Sequence, residues 1–397
     1  MKKNNKRFRK KGGKRGGQRD QRLLKAARAL HGTDDEWGEH LDDRLSASTE
    51  TAKSRAVHAV DTKDEPSWEA DGPTFEGTVV SLASAIAWVE RDRAVESTVA
   101  EITPGSHGDG SDEDGTDEDG IVQCALPTAI AQDQRSRVAV GDRVTYGRKG
   151  DDFLVLKVLP RRTWLARPDP LNPRLQRVVA ANIDVVVQVA SVVKPPLRPA
   201  LLDRYLVAIQ HGGALPVICI NKLDLLSPAQ QKRELAPLAP YRELGVPLIE
   251  CSAAEGRGID RLRDLLRGKT AAFVGHSGVG KSSLVNALSP ATDAATGEVS
   301  ESRGTGRHTT TRSSLYPLDD DIRLIDTPGI REFGLWNLNA ESLAEYFPEF
   351  VDFAAACRFH NCSHSHEPSC AVREAAFGDG DVSAARYRTY LRILETL

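Results

Sequence analysis

No apolar run of ~18 residues occurs in the 397-residue chain, so no membrane-spanning helix is expected. The N-terminal stretch lacks the apolar core of a secretory signal, and the protein is expected to be cytoplasmic and away from membranes. Cysteine is scarce. There are six, three of them close together near the C-terminus, a distribution that suggests a metal site before a disulfide framework. Aromatic residues make up 6% of the chain and form no stripe of the kind that stacks successive nucleic-acid bases. Apolar residues reach only 40%, which suggests that part of the length stays unfolded.

Charge is plentiful but unevenly placed. The net value of −3 hides a segment, 1–28, with thirteen Lys/Arg and a single acid, Asp20, and a segment, 101–120, with eight acids and no Lys or Arg. Residues 1–72 are polar and aperiodic and read as a basic disordered tail, able to touch phosphate backbones without sequence specificity. Over 73–165 short β-rich runs appear, at 75–80, 85–89, 97–100, 121–126, 137–146 and 152–159. Their number and size fit an oligonucleotide-binding (OB-fold) barrel, with the acidic stretch 105–120 as a loop insertion. Residues 160–168 read as a basic, proline-bounded linker. From 170 to 336 strands (183–190, 215–220, 246–250) alternate with helices (198–210, 227–244), which implies a mostly parallel α/β sheet covered by helices. Residues 337–397, with helices expected at 338–353 and 382–394, read as a small helical domain around the cysteines.

The chemistry is concentrated in 221–329. Gly275-His276-Ser277-Gly278-Val279-Gly280-Lys281-Ser282 reads G-x-x-x-x-G-K-S, between the apolar strand 270–274 and a helix that opens at Ser282-Ser283. Glycines let successive N–H groups face one anion, and the helix N-terminus adds a favourable dipole. Lys281 would reach the β- and γ-phosphates of a nucleoside triphosphate, and the Ser282 hydroxyl would ligate Mg²⁺. Asn221-Lys222-Leu223-Asp224 stands at a strand end, where the Asp224 carboxylate can accept from the N1–H and N2–H₂ edge of guanine. Lys222 would pack along the base and Asn221 would brace the loop. Ser252-Ala253, at the next strand end, can offer a backbone N–H to guanine O6. The ligand pair expected is therefore GTP and GDP.

Two further segments complete the nucleotide set. Residues 304–311 read G-T-G-R-H-T-T-T, a loop whose hydroxyls can order around Mg²⁺ and the γ-phosphate. Thr309, Thr310 and Thr311 are equivalent on spacing, and Thr310 is carried forward as the candidate. Asp326-Thr327-Pro328-Gly329 follows a strand, placing Asp326 near Mg²⁺ and the Gly329 N–H near the γ-phosphate. The guanine motifs precede the phosphate loop, the reverse of ordinary GTPases, so the domain reads as circularly permuted. Ile330 stands where many GTPases carry a water-orienting glutamine, and His308 is the candidate substitute, which implies slow turnover raised by a partner.

Beyond these lie Cys357, Cys362, His364 and Cys370, in the pattern C-x4-C-x-H-x5-C. Three thiolates and an imidazole suit a closed, structural Zn²⁺ site, although His360 and His366 compete with His364 on spacing alone.

The motif order, G-R-H-T-T-T at 306–311, the run D-T-P-G-I-R-E-F-G-L at 326–335 and the Cys/His spacing together resemble the circularly permuted, small-ribosomal-subunit-dependent GTPases of the RsgA (YjeQ) family, over about residues 74–397. The resemblance implies an OB-fold barrel, a permuted GTPase domain and a C-terminal zinc domain with His364 as the fourth ligand. It also implies contacts to the 30S subunit and 16S rRNA, GTP hydrolysis stimulated by that subunit, and a role in its late maturation. A monomer is expected. The competing reading is a ribosome-independent GTP-binding signalling or sensor protein that uses the barrel as an interaction module.

Overall fold

The computed structural model describes residues 70–83, 85–92, 120–127, 138–168, 176–289, 313–326, 335, 338–378 and 380–397. The basic tail up to residue 69, the strand expected at 97–100 and the acidic insertion up to residue 119 lie outside the described residues, as do the loop carrying His308 and Thr310, Gly329 and Ile330.

Strands β1 (Thr74–Ala83), β2 (Ile86–Arg91), β3 (Ile121–Ala125), β4 (Arg143–Lys149) and β5 (Asp152–Val158) form a closed barrel in the order β1-β2-β3-β5-β4, with β4 returning to β1. β3 and β5 run parallel and the other pairs antiparallel. Closure follows from the alternating pattern. Val79, Val89, Val122, Val144, Tyr146 and Val155 point inward and are buried, and a closed sheet leaves no unpaired edge. Residues 160–168, expected to be a linker, contain a strand. β6 (Trp164–Pro168) pairs antiparallel with β7 (Gln176–Ala181). Arginines and prolines hide this hairpin in the sequence. Its apolar face, Leu165, Val179 and Ala180, is covered only by tertiary packing.

The α/β part is built from β8 (Val185–Ser191), α1 (Pro199–His211), β9 (Leu215–Asn221), α2 (Pro228–Leu235), α3 (Ala239–Glu243), β10 (Leu248–Glu250), α4 (Ile259–Leu266), β11 (Thr270–Val274), α5 (Lys281–Leu288), β12 (Ser313–Pro317) and β13 (Arg323–Asp326). The strand order is β10-β9-β8-β11-β13-β12, parallel except for β12. Alternate residues of β8 serve opposite faces, so both are apolar. Val185, Val187 and Val189 pack with Leu262 of α4 and Leu284 of α5, and Val186 packs with Tyr205 and Ile209 of α1. The helix expected over 227–244 is instead α2, a 3₁₀ turn and α3. Pro237 and Pro240 have no N–H to continue the ladder. Ser227 starts α2 with a reciprocal capping box to Gln230.

The C-terminal part carries α6 (Ala340–Leu343), α7 (Val351–Ala354), α8 (Ala371–Phe377) and α9 (Ala384–Leu394). Its aromatic core of Phe347, Phe350, Tyr387 and Tyr390 includes Val207 of α1, so this part docks on the α/β layer. Arg386 of α9 reaches Asp203 of α1 and Glu349, all three buried or nearly so. Among the described residues no helix is long and apolar enough to cross a membrane.

Candidate nucleotide site and metal centre

β8, β9, β10, β11 and β13 end on the same side of the sheet because they run parallel, and the loops leaving them form the site. This is where open α/β sheets bind ligands. The phosphate loop leaves β11, the central strand, and enters α5 at Lys281. Two of its glycines are required by close approach as well as by left-handed backbone. A Cβ on Gly275 (φ +138°) would lie 2.2 Å from the Val189 carbonyl oxygen, and one on Gly280 (φ +94°) would lie 2.3 Å from the Asn221 side-chain nitrogen. The Lys281 ammonium folds back over the loop and donates to the carbonyls of Gly275 (2.8 Å) and His276 (3.0 Å). His276 and Ser277 are exposed, Val279 is buried and packs in the core beneath the loop, and Ser282 is half-buried beside Ser283.

The guanine motifs are tied to this loop by one buried side chain. Asn221, 2% exposed at the end of β9, donates from Nδ2 to the Val279 carbonyl (3.1 Å) and accepts at Oδ1 from the Ala253 N–H (3.1 Å). Three loops that are separate in sequence are thereby held at one amide. Lys222 adopts a left-handed conformation (φ +67°) and its ammonium donates to the carbonyls of Gly278 and Lys194. The Ser252 hydroxyl donates to Asp224 Oδ1 at 2.7 Å, which orients the carboxylate, and Leu223 is buried beneath it. Asp224 itself is half-buried, so its carboxylate is open to a ligand edge.

Asp326 ends β13, the parallel neighbour of β11, and is half-buried. Its charge, after burial, helps to push up the pKa of Tyr316. The phosphate loop and Asp326 leave adjacent parallel strands at the same end, so the donor set fits Mg²⁺ with a triphosphate.

The second cluster is formed by Cys357, Cys362, His364 and Cys370, whose ligand atoms all lie within 4.8 Å of one another. His364 Nδ1 is 3.5 Å from Cys357 Sγ and 3.6 Å from Cys370 Sγ, and the two sulfurs are 4.0 Å apart. A tetrahedral ion with Zn–S of about 2.3 Å and Zn–N of about 2.0 Å needs edges of about 3.5–3.8 Å. These residues therefore fit a metal ion. His360 and His366 are exposed and fall outside the group. The loop is held from beneath. Tyr387 and Tyr390 of α9 donate to the carbonyls of His364 (2.8 Å) and Ser363 (2.6 Å), and Glu367 accepts from the Ser363 and Ser365 N–H groups. Burial would raise the Glu367 carboxyl, but these donors hold it down at about 2.

With this geometry in place, the sequence matches the RsgA GTPase family over residues 158–336. A relative from Haemophilus influenzae described as "Small ribosomal subunit biogenesis GTPase RsgA" is 41% identical over 268 residues, which is 66% of this chain and 76% of that protein. One of the same description from Actinobacillus succinogenes is 37% identical over 353 residues, 87% of this chain and 91% of that protein. The chain belongs to the RsgA GTPase family. Among solved structures, YjeQ from Thermotoga maritima is similar with a TM-score of 0.59 and 29% identity, covering 82% of this chain and 99% of that one. YloQ, described as a circularly permuted GTPase, is similar with a TM-score of 0.56 and 26% identity, covering 82% and 95%. Like other RsgA proteins the chain is a GTPase with a barrel, a permuted α/β domain and a C-terminal Cys/His cluster among helices.

Two long-range arginine contacts escape sequence reading, one beneath the phosphate-loop helix and one between α1 and the C-terminal part. Arg263 of α4 donates to the carbonyls of Ala287 and Leu288, the last of the phosphate-loop helix α5, across more than a helix and a strand of intervening chain. No local pattern marks it. Arg386 sits between Asp203 and Glu349 and over the rings of Tyr241 and Phe347. Here a signal existed: Asp203 falls on the apolar face of α1, between Leu202 and Leu206.

Proposed function

We propose that this protein binds the 30S ribosomal subunit and couples GTP hydrolysis to late maturation of that subunit, with turnover stimulated by the subunit. The observation that carries the reading is the convergence of the N-K-x-D loop, the S-A loop, the phosphate loop and Asp326 at one end of one sheet, in a chain whose relatives are named for small-subunit biogenesis. Asp224, oriented by Ser252, accepts from the guanine N1–H and N2–H₂ edge, and Leu223 supports the loop from below. Lys281 turns from its loop carbonyls to the β- and γ-phosphates, while N–H groups from Gly275 to Ser283 line the anion. Ser282, Thr310 and Asp326 would hold Mg²⁺, which supplies charge neutralisation at the β- and γ-oxygens. The Gly329 N–H faces the γ-phosphate, and His308 orients the attacking water in place of a residue that Ile330 cannot supply.

Zn²⁺ is the ion these donors suit best, in a structural role at Cys357, Cys362, His364 and Cys370. The working units are 1–72, 73–165, 170–336 and 337–397, acting as a monomer in the cytoplasm. The barrel and basic tail contact 16S rRNA, and the acidic insertion 105–120 faces away from it because like charge repels phosphate.

Single-turnover GTP hydrolysis with and without 30S subunits tests this. Faster hydrolysis with subunits is expected, and His308→Ala is expected to abolish the increase. Equal rates would instead support a ribosome-independent GTP-binding protein.

A further inference from the structure

The barrel is joined to the GTPase sheet beside the nucleotide site. β1 pairs antiparallel with β12, with Ser81 opposite Ser314 and Leu82 opposite Ser313, and the Ser81 hydroxyl donates to the Ser313 carbonyl at 3.1 Å. On its other side Ser314 is opposite Asp326. One rung therefore crosses three strands, from Ser81 in the barrel through Ser314 to Asp326. β12 has only β1 and β13 as strand neighbours among the described residues. Without β1 it would be an exposed edge strand of five residues beside a four-residue β13.

The seam is packed as well as hydrogen-bonded. Val80 of β1 and Val140 belong to the same buried cluster as Leu315 of β12, Ile325 of β13 and Val274 at the head of the phosphate loop. Gly141, at φ +88°, lies so close that a Cβ there would be 3.1 Å from the Ile325 side chain and 2.1 Å from the Ala181 carbonyl oxygen. Glu90 of β2 forms an ion pair with Arg323, the first residue of β13. The barrel thus contacts β12 and β13 through Ser314, which is opposite Asp326, Ile325, which precedes it, and Arg323, at the other end of the same strand.

We propose that the barrel is a positioning element of the GTPase site: β1, with the Glu90–Arg323 pair, holds β12 and β13 in register and so sets the placement of the Asp326 carboxylate. A load on the barrel then reaches Asp326 through the ladder, because packed strands slide as units rather than deform continuously. The inference rests on the assignment of Asp326 to the Mg²⁺ side of the site.

The test uses the full-length protein and two variants that loosen the seam differently. Glu90→Arg sets like charge against Arg323, and Leu82→Asp places a carboxylate beside the shared apolar cluster. Amide hydrogen exchange at Leu315 and Ile325 reports the seam, and the Mg²⁺ concentration for half-maximal GTP turnover reports Asp326. We expect faster exchange and a Mg²⁺ midpoint raised by about threefold or more in both. The double swap Glu90→Arg/Arg323→Glu should bring both readouts back to within about twofold of the parent. Faster exchange with an unmoved Mg²⁺ midpoint overturns the proposal. So does unchanged exchange in both variants, since β1 would then not be what holds β12. Asp326→Asn separates the two claims. If it leaves the Mg²⁺ midpoint unmoved, the assignment of Asp326 is what fails.

Discussion

Asn221 ties the site together, because one buried amide holds three loops. Its Nδ2 is the donor to the phosphate loop and its Oδ1 the acceptor for the S-A loop. Asn221→Ala leaves the Val279 carbonyl and the Ala253 N–H without this partner, at about 1–3 kcal/mol for each group that stays buried. GDP affinity should fall at least about tenfold, read by titration with a fluorescent guanine nucleotide. Asn221→Asp should also weaken binding, since a carboxylate cannot donate to Val279. Arg386 is the corresponding residue for the C-terminal part. Burial alone would lower its pKa, but the charges of Glu349 and Asp203 hold it up, so it stays protonated. Burial pushes the Asp203 carboxyl above its ordinary range, against the pull of Arg386. Arg386→Leu would strand Asp203 beside Glu349, at a cost of about 3–5 kcal/mol in chemical denaturation. The sign of its pH dependence follows from Asp203, which burial raises and Arg386 pulls down, so that losing Arg386 raises the carboxyl further. A carboxyl whose folded pKa is raised favours the folded state below its unfolded pKa and loses that contribution as pH rises through the folded value. The defect should therefore be smaller near about pH 5 than near about pH 8.

Among the elements, proline decides where helices end and tertiary contacts decide which short ones persist. The apolar period runs through 227–244, yet Pro237 and Pro240 divide it, and Pro348 divides 338–353. Segments as short as α6 and α7 have four residues each and no intrinsic stability in water. They exist because Leu343 and Phe350 are pinned to the core around α9. α9 in turn carries the metal loop on two phenol hydroxyls. Tyr387→Phe removes the donor to the His364 carbonyl and should destabilise the loop by about 1–2 kcal/mol. The expected readout is faster metal loss to a chelator with helix content unchanged. Equal loss rates would mean that the ligands alone set the loop.

At the scale of the molecule, the sheet is continuous from β10 to the barrel, and the Cys/His cluster is joined to α1 through a shared core. Metal removal should therefore expose a defined set of thiols. Cys357 and Cys362 are half-exposed and Cys370 is covered within the cluster, whereas Cys124, Cys219 and Cys251 are buried in the barrel and sheet cores. Chelation is expected to make the three cluster cysteines reactive to a thiol reagent while the other three stay protected until global unfolding. Six thiols reacting together would show that the metal holds the whole molecule.

Much of the site could be read from the chain because phosphate and guanine recognition are local. A glycine-rich loop before a helix, N-K-x-D at a strand end and a C-x4-C-x-H-x5-C run each specify chemistry within a few residues. Their order alone established the permutation. Other features need the fold. The β6–β7 hairpin and β12 show only once their apolar faces are covered, and the Asp203–Arg386–Glu349 group and the Ser81–Ser314–Asp326 rung join residues distant in the chain. Burial and register create these contacts. Neither quantity exists until the barrel, the GTPase sheet and the C-terminal helices pack against one another.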